Sequence, residues 1–130
     1  MTACGVWPTS RGLVAVLIDG TGRARSCSVA LADDARSGFG LWLVAAGADL
    51  VVDQALLATD PIAHIARRSG VTVWVANAAL IDSLRTAAGI TRRGPRLSAA
   101  LLARLPSIPW LRSLLRRLEP PEAERQIALF

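Results

Sequence analysis

The sequence predicts an α/β protein: a mixed sheet with helices on both faces. Two observations predict it, a hairpin signal early in the chain and a later alternation of helical and short apolar segments. Residues 13–18 (L-V-A-V-L-I) form a continuous apolar run followed by Asp19-Gly20-Thr21-Gly22. Asp-Gly between two strand-like runs marks a hairpin, because these residues tolerate the left-handed backbone of a tight turn. In the returning segment Arg25, Cys27, Val29 and Leu31 fall on one side, and Ser26, Ser28 and Ala30 on the other. That period of two is the mark of an antiparallel strand. A short apolar run at residues 3–7, closed by Pro8, supplies a further strand.

The next elements alternate. Asp33 or Asp34 offers an N-cap for a helix over 35–46, and Gly47 offers its stop. Residues 50–53 read as a short buried strand. Asp60-Pro61 opens a second helix that runs to about Arg68 and stops at Gly70. Residues 71–76 (V-T-V-W-V-A) form a parallel-type strand, and a helix over 79–88 ends at Gly89. The predicted order is therefore βββαβαβα. A basic loop at 91–96 leads to a helix over 97–105. Between Pro109 and Pro120 the chain reads as an amphipathic helix over 110–118. Leu111, Leu114, Leu115 and Leu118 lie on one face, and Arg112, Arg116 and Arg117 on the other. The expected organisation is a domain over 1–105 and a Pro-bounded helix with tail over 106–130.

Composition narrows the class. At 130 residues and 52% hydrophobic the chain can build a core, which excludes global disorder. The longest apolar candidate, residues 40–52, is broken by Asp49 and falls short of a membrane span. The start, Met-Thr-Ala-Cys-Gly, lacks the positive region of a secretory signal. Cys4 and Cys27 have no metal spacing and read as reduced core residues. A cytoplasmic location is the expectation.

Charge is distributed unevenly. All 15 basic residues are Arg. Residues 1–89 hold seven Arg and seven Asp, whereas residues 90–118 hold seven Arg and no acid. The whole positive excess of the chain sits in that late segment.

The order and spacing resemble the ribonuclease H-like fold. More narrowly, they resemble the N-terminal, RuvC-like domain of DEDD-type transposases from bacterial insertion sequences. Residues 4–104 carry the resemblance. Leu50-Val51-Val52-Asp53 is similar to that family's fourth strand with its terminal acid. Gly70, seventeen residues later, matches the glycine before the fifth strand. Val75-Ala76-Asn77-Ala78 resembles the family's V-N-P. In the same register, Arg93-Gly94-Pro95-Arg96-Leu97-Ser98-Ala99 falls on its basic box.

The family's domain implies two divalent ions held by four carboxylates, which activate water at a phosphodiester. In this register Trp7 stands for the first Asp, Asp53 for the second acid, Pro95 for the third and Ser98 for the fourth. One carboxylate of four remains, and hard cations need such oxygens. The resemblance thus implies a degenerate domain without catalysis or a metal cofactor. Asp19 reads better as a turn residue and Asp60 as an N-cap. With Asp53 they are the weak ligand candidates of a residual nuclease using Mg²⁺ or Mn²⁺.

Arg92, Arg93, Arg96, Arg104, Arg112, Arg116 and Arg117 form the candidate surface for DNA or RNA backbone. The alternative is a protein-interaction or homo-oligomerisation module using Leu111, Leu114, Leu115 and Leu118. Trp42 and Trp74 are expected in the core, and Trp7 and Trp110 at the surface. His64 has no partner that would make a catalytic pair.

Overall fold

The computed structural model describes residues 2–30, 32–87, 89–90 and 94–119. The chain opens with a meander of β1 (Ala3–Thr9), β2 (Gly12–Ile18) and β3 (Ala24–Ala30). The expected hairpin joins β2 to β3, but its turn spans residues 19–23 and the left-handed backbone falls at Gly22, with φ of 85°, and not at Asp19 or Gly20. There Asp19 Oδ1 accepts from the backbone N–H groups of Thr21 at 2.9 Å and Arg23 at 3.1 Å. The carboxylate is used to close the turn.

Helix α1 (Asp33–Ala46) follows and ends at Gly47, whose φ of 63° is the left-handed conformation of a C-terminal cap. Then come β4 (Asp49–Asp53), α2 (Gln54–Thr59), α3 (Ile62–Arg68), β5 (Val73–Ala76) and α4 (Ala78–Ala87). Helix α5 (Pro95–Arg104), a 3-10 turn (Leu105–Ser107), α6 (Pro109–Arg112) and β6 (Arg116–Arg117) complete the described chain.

One six-stranded mixed sheet runs β3-β2-β1-β4-β5-β6. β4 is parallel to β1 and to β5, and the other pairs are antiparallel. Period two divides the side chains between two layers. Cys4, Val6, Leu13, Leu50 and Val73 face one side and pack with Phe39 and Leu43 of α1 and Ile62 and Ala66 of α3. Val51 and Ala76 face the other and pack with Ile81 of α4, Leu102 of α5 and Leu111 of α6. Val14, Val16 and Ile18 of β2 join Ala99 and Ala103 of α5 on that second side. β2 is covered on both faces, which is why it reads as an unbroken apolar run.

Two contacts fix the layers. A Cβ built on Gly5 would lie 1.9 Å from the Ala99 carbonyl oxygen, so glycine lets the α5 backbone rest on β1. On the opposite face the Arg36 guanidinium of α1 makes a fork–fork ion pair with Asp60, which also accepts from Ile62 N–H at 2.9 Å.

Four expectations are corrected. The segment 110–118 is not one helix: α6 ends at Arg112, and Arg116–Arg117 adds an antiparallel strand to β5. Leu111, Leu115 and Leu118 are buried and Leu114 alone of the four is exposed, so the leucine stripe is core and not a docking face. Cys27 and Trp42 are exposed, because β3 is a sheet edge that α1 covers incompletely. Helix α2, absent from the expected order, starts at Asp53, whose Oδ1 accepts from Leu56 N–H at 2.8 Å as an N-cap. No helix among the described residues is long and apolar enough to cross a membrane.

Candidate functional site

The parallel strands β1, β4 and β5 end on the same side of the molecule, where ligands of open α/β sheets bind. The register pairs Ala3 with Asp49 and Gly5 with Val51. One further step of period two sets Trp7 level with Asp53 on the α5 side of the sheet. Helix α5 runs back over β1, with Ala99 above Gly5, so its first turn, Pro95 to Ser98, lies toward these strand ends.

Trp7 is half-buried and packs against both clusters on this face. Asp53 is buried, and its Oδ1 is engaged by the α2 N-terminus. Ser98 is buried, and its Oγ accepts from the Arg85 guanidinium of α4. Arg85 was not among the sequence candidates. Its position on an apolar helix carries no motif, and only the packing of α4 on α5 brings it to Ser98.

This donor set does not fit a pair of divalent ions. Trp7 and Pro95 have no side-chain oxygen, and a guanidinium beside Ser98 repels a cation. Among the described residues no group of three or more His, Cys, Asp and Glu side chains could hold a metal ion. Asp19 lies in the hairpin turn and Asp60 in the ion pair of the other layer, so neither joins Asp53. The hydrogen bond from Thr21 holds the Asp19 carboxyl below the usual range, and that from Arg36 does the same for Asp60.

Beside Asp53, a groove of about 290 Å³ opens at the ends of β4 and β5. Gln54, Ala76, Asn77, Leu114 and Arg116 line it, and Arg116 donates to Gln54 Oε1 at 3.1 Å. Gln54 and Asn77 each follow the last residue of a strand, which is the signal that places them here. Nearby, Trp74 Nε1–H donates to Asp49 Oδ2 at 3.1 Å while the Arg112 guanidinium stacks 5.6 Å from the Trp74 ring centre.

The sequence-predicted arginines divide accordingly. Arg112 and Arg116 flank the β5 edge, and Arg117 alternates to the other side of β6 from Arg116. Arg96 sits on the first turn of α5 and Arg104 on its last, about 12 Å apart along the axis. Arg104 instead borders a cleft with Asp19 and Ser107 at the opposite end of the sheet. Arg92 and Arg93 lie outside the described residues. Arg96, Arg104, Arg112, Arg116 and Arg117 are all exposed and, among the described residues, none is paired with an acid.

In comparisons with known proteins, no family model and no curated protein matches this sequence.

Proposed function

We propose that this chain is a degenerate ribonuclease H-like domain, related to the RuvC-like domain of DEDD-type transposases, that binds nucleic acid and does not cut it. The observation that carries the reading is the β1–β4 register: Trp7 and Asp53 each lie two residues beyond the Gly5–Val51 pair, on the side of the sheet that α5 covers. A strand order of β3-β2-β1-β4-β5 brings β1, β4 and α5 together, as a metal-dependent phosphodiester site of that fold requires. Here an indole fills the place of one carboxylate, and the surviving one serves as a helix cap. Hydrolysis has no metal pair to run on.

What the surface keeps is exposed positive charge, with the Asp53 carboxylate at the strand ends buried as a helix cap. Arg96, Arg112 and Arg116, with Gln54 and Asn77 at the groove, supply donors suited to phosphate oxygens. Such contacts position a backbone and carry no base readout of their own, so the reading covers DNA and RNA alike.

The test is a binding titration of the full chain with single-stranded DNA, duplex DNA and RNA, each with and without Mn²⁺. Binding of at least one probe with no cleavage in either condition is expected. Failure to bind all three at low salt overturns the binding reading, and Mn²⁺-dependent cleavage lost in Asp53→Asn overturns the loss of catalysis.

A further inference from the structure

We infer that the exposed edge of β3 is an interface for a second copy of this chain, joined by antiparallel pairing of β3 with β3 across a two-fold axis at Cys27. This inference does not depend on nucleic-acid binding.

Among the described residues β3 closes one end of the sheet and its outer edge is unpaired. Exposed edges are ordinarily blunted by several charges, a proline or a bulge. The strand reads A-R-S-C-S-V-A, with one charge and no proline, and its register with β2 is unbroken over seven pairs. Asp19 N–H donates to the Arg23 carbonyl at 3.1 Å, which sets the phase of the ladder. Bonded pairs alternate in an antiparallel ladder, so odd residues of β3 bond to β2. Ala24, Ser26, Ser28 and Ala30 therefore turn their backbone groups outward.

The same edge is flanked by uncovered apolar surface. A groove of about 510 Å³ between β3 and α1 is lined by Cys27, Val29, Ala35, Gly38, Phe39 and Trp42. Trp42, on this groove, is 36% exposed. A Cβ added to Gly38 would meet nothing within 4 Å, so this chain's own packing does not require a glycine inside α1. Glycine is disfavoured in a helix interior, and its absence of side chain suits close approach by another element.

Charge and register select a second copy as the occupant. With the axis at Cys27, Ser26 of each chain faces Ser28 of the other, and Arg25 faces Val29, so the two Arg25 side chains are never opposed. The basic end of β3, Arg23 and Arg25, then meets the end of the other strand that leads into Asp34, which is exposed. A two-fold axis perpendicular to the sheet keeps both α1 helices on one side. The two grooves merge there over the seam and cover Phe39 and Trp42, which already stack 5.7 Å apart.

The experiment is sedimentation equilibrium of the full chain, wild type against Ser26→Lys/Ser28→Lys. These side chains are exposed and the backbone groups of both residues are turned away from β2, so the variant keeps the fold, as circular dichroism checks. It sets like charges directly opposite one another across the seam. Cys27 gives a second readout. In a non-bonded antiparallel pair the two Cα atoms lie about 4.5 Å apart, within disulfide range. Two copper(II) ions, each reduced to copper(I) by one electron from the pair of thiols, then link the chains, with release of two protons. Cys4 is buried and does not compete. The expected result is a dimer that links through Cys27, with the double variant monomeric and unlinked. A monomeric wild type, or a dimer that survives the double substitution, overturns the inference.

Discussion

Trp7 of β1 and Asp53 of β4 each lie two residues beyond the Gly5–Val51 pair, on the face of the sheet that α5 covers. The two residues occupy adjoining positions at the ends of parallel strands, yet one packs and the other caps a helix. A carboxylate placed at position 7 does not create a metal pair, because Pro95 and Ser98 contribute none. Trp7→Asp is expected to lose about 2–3 kcal/mol of stability through lost aromatic packing and a half-buried charge. Urea denaturation reads that loss, and a nuclease assay with Mn²⁺ is expected to show no gain.

The contact of α5 with β1 gives a sharper test of the architecture. Gly5→Ala forces a methyl group against the Ala99 carbonyl, where 1.9 Å is available. The helix must move off the sheet, at a cost of about 3 kcal/mol. A loss of unfolding free energy of that size, read from urea denaturation, is expected.

The Arg36–Asp60 pair ties α1 to α3. The Arg36 hydrogen bond holds the folded Asp60 carboxyl below its ordinary range. The pair's contribution is therefore fully present above the unfolded carboxylate pKa of about 3.9 and fades as pH falls through the lower folded value. Asp60→Asn is expected to cost about 2 kcal/mol at neutral pH, since it leaves a buried guanidinium without this carboxylate. The difference from wild type should narrow in acid, and denaturation as a function of pH measures it.

The leucines of the C-terminal segment should separate by burial. Leu111 is 1% exposed and Leu114 is 57% exposed. Leu111→Ala is expected to cost about 2–4 kcal/mol, and Leu114→Ala less than about 0.5 kcal/mol. Equal effects would contradict the packing of this segment against the sheet.

Apart from α2, the strand-helix order through residue 104 was legible because its signals are local. The turn over residues 19–23, the unbroken apolar run of β2 and the glycines after α1 and α3 each act on their immediate neighbours. The C-terminal segment misled for a physical reason. Leucines at 111, 114, 115 and 118 have helical spacing, but Leu115 packs on the α5 side of the sheet and Leu118 on the α1 side. Leu118 N–H donates to the Val73 carbonyl at 2.8 Å, a bond set by the free edge of β5 and not by local sequence. At the candidate site, Trp7, Asp53 and Ser98 were found by resemblance and spacing. Arg85 and the helix-capping use of Asp53 depend on how α4 and α2 pack.

The most direct test of the central claim is the salt dependence of nucleic-acid affinity. Wild type would be compared with Arg96→Ala/Arg112→Ala/Arg116→Ala by fluorescence anisotropy on one labelled single strand. On a single strand each lost phosphate contact lowers the slope of log affinity against log salt by about 0.7 unit. The account predicts a steep wild-type slope that the triple variant reduces by about two units, with no cleavage of the probe. A wild-type affinity indifferent to salt, or a slope unchanged in the variant, would contradict it.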